Sequence, residues 1–248
     1  MNTQTQIDAE TIRARIRAGD HDGHTAGMAP GKLQCNLAIL PERHALDFLR
    51  FCQRNPKPCP VVAVSETGDP MLPTLGANID IRTDVPKYRV FRDGVLSEEV
   101  KDINDLWRDD LVTVALGCSF TFENALMRAG IPVRHIDEGV IVPMFRTSIP
   151  LVPAGPFRGN MVVTMRPIPE AMVDQAHEIS ARYPQAHGAP IAMGDPGALG
   201  IKDLGAPDYG DAVAVKPGDV PVYWACGVTP QNVLLDAGLP LHADVARL

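Results

Sequence analysis

The sequence predicts an α/β protein supplemented by α+β material, and three observations lead to that class. Short apolar runs bounded by turn-forming residues, PVVAV at 60–64, LVTVAL at 111–116 and PVYWA at 221–225, have the composition of buried strands. Segments with apolar residues at helical spacing alternate with them, the pattern of an α/β core. From about 133 to 187 the order becomes strand, strand, helix, which is α+β in character.

Taken in order, residues 8–18 read as a short amphipathic helix with Asp8 as cap and Ile12 and Ile16 on one face. HDGHTAGMAPGKLQCNLAILP (21–41) reads as a loop. Leu46, Phe48, Leu49 and Cys52 give a helix over 42–54, ended by Pro56, Pro58 and Pro60. The run at 60–64 then suits a buried parallel strand. Asp93-Gly94 between β-prone arms predicts a hairpin over 88–100. A short helix over 102–109 precedes the strand at 111–116, the turn Gly117-Cys118-Ser119 and a helix over 120–129 closed by Gly130. Strands follow at 140–144 and 161–166, then a helix over 169–183 with Pro and Glu in its first turn. After the strand at 221–225, Thr229-Pro230 has the order of N-cap and first residue of a helix reaching about 237.

A chain of 248 residues with 45% hydrophobic content can bury one large core or two modest ones. The expected division is a main α/β domain from 1–132 and 188–248 with a smaller α+β domain at 133–187, although no linker marks either boundary. A formal charge of -7 leaves no basic face to displace counterions from phosphates, so nucleic acid is excluded as a partner. No apolar run approaches the ~18–20 residues of a membrane helix, and the first twenty residues lack the apolar segment of a secretory signal. Five cysteines without CxxC spacing resemble neither a disulfide framework nor a zinc ribbon, and a reducing cytoplasm is the expected compartment.

The densest chemistry lies in HGAPIAMGDPGALGIKDLGAPDYGD (187–211) and PVYWACGVTPQ (221–231), where titratable groups crowd among turn-formers. Two stretches, LVTVALGCS and PVYWACGVTP, share one design of strand, Gly/Cys turn and helix start. Helix N-termini at strand ends suit a small carboxylate, with Ser119, Thr229 and Asn36 as binding candidates, or else these are simple tight turns. Cys118 and Cys226 fall at the two turns, where a helix N-terminus lowers a thiol's pKa; each is either a reactive thiol or a small apolar filler. His187 is a general acid or base, or a hydrogen-bonded loop residue. His135 reads as a salt-bridge partner beside Arg134 and Asp137, and His21, His24, His44, His177 and His242 as surface groups. Asp195 is a candidate proton carrier. With Asp203, Asp208 and Asp211 it could offer oxygen ligands, but no cation-binding pattern is matched and no metal or other cofactor is expected. Arg82 and Arg146 are preferred over Arg166 as carboxylate clamps.

APGKLQCNLAILP (29–41), IRTDVPKYRVF (81–91), GCSFTFENAL (117–126), PVRHID (132–137), VPMFRTSIPLVPAGPFRGNMVVTMRP (142–167), HGAPIAMGDPGALGIKDL (187–204), PDYGD (207–211) and VPVYWACGVTPQ (220–231) together resemble the D-glutamate cyclase family, whose bacterial members are labelled hydro-lyases. The resemblance runs in order from about residue 9 to the C-terminus. It implies a layered α/β/α main domain with a smaller α+β two-layer domain, and no organic cofactor. It also implies intramolecular loss of water from D-glutamate, giving 5-oxo-D-proline. The implied partner is a small carboxylate substrate, and a homo-oligomer is compatible with the sequence. Two other readings stay open: a cofactor-independent amino-acid racemase or lyase with Cys118 and Cys226 as opposed thiols, and a carboxylate-binding protein without turnover.

Overall fold

Strand pairing in the computed structural model, which describes residues 7–245, is antiparallel throughout. Residues 1–6, on which part of the reading against a secretory signal rests, lie outside the described residues. In chain order the elements are α1 (Ala9–Arg17), β1 (Cys35–Pro41), α2 (Glu42–Arg54), β2 (Val61–Val64), β3 (Tyr88–Arg92), β4 (Val95–Val100), β5 (Leu111–Gly117), α3 (Phe120–Arg128), α4 (Arg134–Glu138), β6 (Met144–Pro150), β7 (Asn160–Pro169), α5 (Val173–Ala181), β8 (Ala192–Met193), β9 (Asp219–Ala225), α6 (Val228–Asp236) and β10 (His242–Val245). They form a six-stranded sheet, ordered β2-β5-β1-β10-β3-β4, and a four-stranded sheet, β6-β7-β9-β8. The class is mixed α/β.

The expectation of parallel strands is corrected. β1 and β5 pair antiparallel from Cys35↔Gly117 to Pro41↔Leu111. An unbroken apolar run reports burial on both faces, not strand direction. Both faces of the sheet are covered at β1 and β5. Leu37 and Ile39 pack with Leu72, Ile81 and Tyr88, while Ala38 and Leu40 pack with Phe48, Phe51 and Leu234 beneath α2 and α6. β2 is not buried either: it is an edge strand, with Val61 and Val64 39% and 40% exposed.

The hairpin forms as expected, with Asp93 at φ 50° and Gly94 at φ 75°, the left-handed pair of a type I′ turn. The strand expected at 140–144 begins only at Met144, because Pro143 has no N–H for a ladder. The helix near 102–109 is a 3-10 turn at 104–106, and the 169–183 segment opens with a 3-10 turn before α5. Thr229 is not a cap: Gly227 holds that position, so Pro230 falls in the first turn, where no N–H is needed. β1, read as loop, and β10 went unseen, yet both lie mid-sheet.

The four-stranded sheet carries Ile168, Val222 and Trp224 on a face covered by α3 and α5. Its other face, with Phe145, Met165 and Tyr223, is covered by the chain around Leu199, Ile201 and Val213. β7 pairs with β9 from Val163↔Ala225 to Pro169↔Asp219, so this sheet takes strands from both sides of residue 187. Between the sheets a small cluster of Cys118, Phe120, Val162, Cys226 and Val228 closes the junction. No helix among the described residues is long and apolar enough to cross a membrane.

Candidate active site at the junction of the sheets

The C-terminal end of β5 is fixed by contact with the segment that carries His187. A Cβ on Gly117 would lie 1.6 Å from the Gln185 carbonyl oxygen, so only glycine admits this approach. Cys118 then donates its backbone N–H to the Gln34 carbonyl at 2.9 Å, bringing the 25–34 loop to the same place. Ser119 precedes α3 but makes no side-chain cap; its buried hydroxyl receives Arg166 Nη2 at 3.0 Å instead.

The end of β9 meets this corner from the other sheet. Cys226 donates its N–H to Val162 at 3.1 Å, and a Cβ on Gly227 would lie 1.8 Å from Asn36 Nδ2. Asn36 is 1% exposed, and neither Oδ1 nor Nδ2 has a hydrogen-bond partner among the described residues. An unpaired buried carboxamide costs on the order of 1–3 kcal/mol per group, which makes Asn36 a candidate for completion by a bound group. It lines a cavity of about 490 Å³ together with Cys118, Phe120, Gln34, Arg13 and Asp84. A shallower depression of about 580 Å³ beside Arg54 and Arg158 meets none of these groups.

Of the two readings open for these cysteines, thiolate character is the one their burial disfavours. Burial pushes Cys118 well up, against a smaller lowering by the Phe120 N–H, and pushes Cys226 up to about 11. At neutral pH each is a protonated thiol, because helix N-termini cannot offset complete desolvation here.

Beyond Cys118 runs a buried ionic chain. Arg166, 0% exposed, pairs with Glu123 Oε1 through Nε at 3.1 Å and through Nη2 by a shorter contact, and Nη1 reaches Thr164 Oγ1 at 2.9 Å. Its guanidinium carbon sits 5.3 Å from the ring centroids of both Phe122 and Trp224. His135 Nε2 lies 3.1 Å from the same Glu123 oxygen, so its partner is Glu123 and not Asp137. Burial raises the Glu123 carboxyl, but Arg166 and His135 together outweigh it and hold the group below the usual range. Glu123 Oε2 has no partner among the described residues.

His187 is buried in a left-handed conformation, φ 75°, sparsely populated by non-glycine residues. Its Nδ1–H donates to the Lys57 carbonyl at 2.8 Å, which leaves Nε2 as the acceptor, without a partner among the described residues. Burial, aided by Arg166, lowers its pKa to about 4, so the ring is neutral at physiological pH.

The structure thus gathers Asn36, Cys118, Cys226, Ser119 and His187 around one junction. Thr229 is close by, but its hydroxyl exchanges hydrogen bonds with the Val162 N–H and carbonyl at 3.0 and 3.2 Å and ties α6 to β7. Three residues lie apart. Asp195 is exposed and caps a 3-10 turn through the Gly197 N–H, on the face of the four-stranded sheet opposite Arg166. Arg82 commits its fork to Asp80 at 3.0 and 2.7 Å, and Arg146 is held on the Tyr209 hydroxyl at 2.8 and 2.5 Å. The aspartates of 195–211 each accept a different backbone N–H, from Gly197, Gly205, Arg146 and Ile141, as loop-formers do. No three His, Cys, Asp or Glu side chains assemble as metal ligands among the described residues. Arg166, Glu123, His135 and Thr164 were missed or ranked low; the available signal was a charge inside the apolar strand MVVTMRPIP.

Residues 112–246 match the model of the D-glutamate cyclase family. A protein of Jannaschia sp. (strain CCS1) is 81% identical over 97% of this chain and 91% of its own length. One from Dinoroseobacter shibae is 62% identical over 93% of this chain and 77% of its own. Both carry the name "Putative hydro-lyase". A solved nitrogen repressor-like protein from Methanococcus jannaschii overlays 94% of each chain at 11% identity with a TM-score of 0.41, too distant to carry an argument.

Proposed function

The chain belongs to the D-glutamate cyclase family, and from that premise we propose that it is a hydro-lyase converting D-glutamate to 5-oxo-D-proline in the cavity floored by Asn36 and Cys118. The observation that carries the reading is the Asn36 carboxamide, fully buried and unpaired at the wall of that cavity. A carboxylate placed there accepts hydrogen bonds from Nδ2, and an ammonium donates one to Oδ1.

The reaction forms one C–N bond, from the α-amine to the γ-carboxyl carbon, and breaks one C–O bond. The two protons lost from the ammonium leave on the departing oxygen as water. In this scheme His187 Nε2, neutral and unprotonated, lies buried behind the end of β5 and outside the cavity lining, and takes the first proton and returns it to the leaving oxygen once ligand binding opens a path to it. The protonated thiol of Cys118 and the Asn36 amide polarise the γ-carboxyl. Arg166 acts at one remove, fixing Ser119 at the start of α3. Asp195, Arg82, Arg146 and Thr229 have no part in it. Racemisation by Cys118 and Cys226 demands a thiolate in every turnover, and the burial of both thiols weighs against it.

The test is mass spectrometry of D- and L-glutamate incubated separately with the purified protein, with chiral analysis of the remaining acid. Loss of one water from the D-isomer supports the reading. Interconversion of isomers, or unchanged substrate beside a bound-ligand thermal shift, sinks it in favour of a racemase or a binding protein.

A further inference from the structure

The cavity lacks the carboxylate anchor expected of it, since Arg82 and Arg146 are engaged elsewhere. One guanidinium at its wall is poorly satisfied. Arg13 Nε is buried without a hydrogen-bond partner, 3.4 Å from Asp84 Oδ2, and Nη2 reaches only the Ala77 carbonyl at 3.5 Å. Asp84 is already occupied: Arg17 takes both its oxygens, one of them at 2.6 Å, and the Asp80 N–H reaches Oδ2 at 3.2 Å. Lys32, the other cation lining the cavity, is exposed.

The element that carries Arg13 is held unusually. The buried residues of α1, Ile12 and Ile16, both line the cavity, and neither joins any of the five core clusters. α1 is tethered instead by Arg17, to Asp84 and to the Asn78 carbonyl at 2.7 Å. It is a wall fastened at one end, with an underused fork beside the cavity whose lining includes Asn36 on β1.

We propose that Arg13 is the positioning residue that grips a carboxylate of the substrate, and that α1 tightens over the cavity as it does so. A planar fork with five donors matches a carboxylate bidentately, and such a ligand would supply what Asp84 cannot. This rests on the reading that the cavity takes a small acid. It adds that the acid bridges two elements, Arg13 on α1 and Asn36 on β1.

The experiment uses the full chain and three probes: D-glutamate, 5-oxo-D-proline and glutarate. Calorimetric binding and hydrogen exchange over 9–17 are measured for wild type, Arg13→Met and Arg13→Lys. The expected result is ligand-dependent protection of 9–17 in wild type, lost in Arg13→Met. Affinity should fall about 10- to 100-fold in Arg13→Met, as for a lost charged hydrogen bond pair, and recover in part in Arg13→Lys. In turnover the loss should fall on KM more than kcat. Equal affinity in Arg13→Met and wild type for every probe that binds overturns the proposal and leaves the cyclase reading standing. So does protection of 9–17 that ignores ligand, whereas wild type binding none of the probes overturns this proposal and the cyclase reading together. Probe binding that depends on Arg13 without loss of water from D-glutamate supports the anchor and overturns only the reaction.

Discussion

Arg166→Met separates the buried ionic chain from every other feature of the fold. Arg166 and Glu123 are each 0% exposed, and the substitution strips the Glu123 carboxylate of its buried guanidinium partner, leaving the His135 ring 3.1 Å away. Breaking a buried pair by removing one partner costs about 3–5 kcal/mol. At roughly 2–4 °C per kcal/mol for a chain of this size, the melting point should fall by about 6–20 °C. The pH dependence carries the sharper test. In wild type the Glu123 carboxyl is held below its ordinary range, so its contribution is present above the unfolded pKa and lost as pH falls through the folded one. Without Arg166, burial dominates and the folded carboxyl rises above the unfolded value; stability is then lost as pH increases. Destabilisation of Arg166→Met relative to wild type must therefore grow from pH 5 to pH 8. Scanning calorimetry at both pH values, with Arg166→Met/Glu123→Leu as the companion, measures it. The double variant should regain most of the lost stability, since no charge is left stranded. A single variant that melts within a degree or two of wild type, or whose deficit is the same at both pH values, would refute the ionic reading of this chain.

Other expectations are more local. His187→Asn keeps a residue tolerant of φ 75° and a donor for the Lys57 carbonyl; it should melt near wild type but lose turnover by about 10²–10⁴-fold, the range for a proton-transfer group. His242, corrected here from a surface group to one 0% exposed and stacked 4.6 Å from Phe91, has its pKa lowered by burial from 6.5 to about 4. It binds a proton less readily folded than unfolded, so about 3 kcal/mol present above pH 6.5 should fade toward pH 4, and denaturant titrations of His242→Phe should show a flatter slope across that window. Gly227→Ala should lower the melting point by driving a methyl into Asn36; Gly227→Ala/Asn36→Ala should recover the fold without recovering binding, as calorimetry would show. Asp195→Asn should leave kcat unchanged and stability within about 1 kcal/mol, and a fall in kcat would return Asp195 to the site.

Much of the fold was legible because local signals agreed with tertiary demands. The helix at 42–54, the Asp93-Gly94 hairpin and the apolar strands at 111–116 and 221–225 each owe their form to neighbours in sequence. Pairing direction was not legible, because a run such as LVTVAL is equally buried between antiparallel and parallel neighbours. β10 was hidden for a related reason. His242 reads as a surface group, whereas it lies flat on Phe91, and Asp244 in the same strand is bound by Arg89 at 2.9 and 3.0 Å. Partners 150 residues away decide burial there, and no local pattern encodes them.

The same argument explains which site residues could be read and which could not. Cys118, Ser119 and Cys226 were visible because strand-turn-helix corners have a local signature, and Asn36 and His187 join them at one junction. The chemistry of the thiols stayed open in the sequence because it depends on solvent: they sit at helix starts, but complete burial outweighs the helix field and keeps them protonated. Asp195 was drawn in by its surroundings, since turn-formers rich in carboxylates resemble a site, while each carboxylate of 195–211 serves one backbone N–H. Two features instead point inward: a charge in an apolar strand and a glycine pressed against a side chain. Arg166 amid MVVTM and Gly227 against Asn36 are of that kind. Each imposes a burial cost or a packing constraint at this junction, and a ligand completing Asn36 would offset part of that cost.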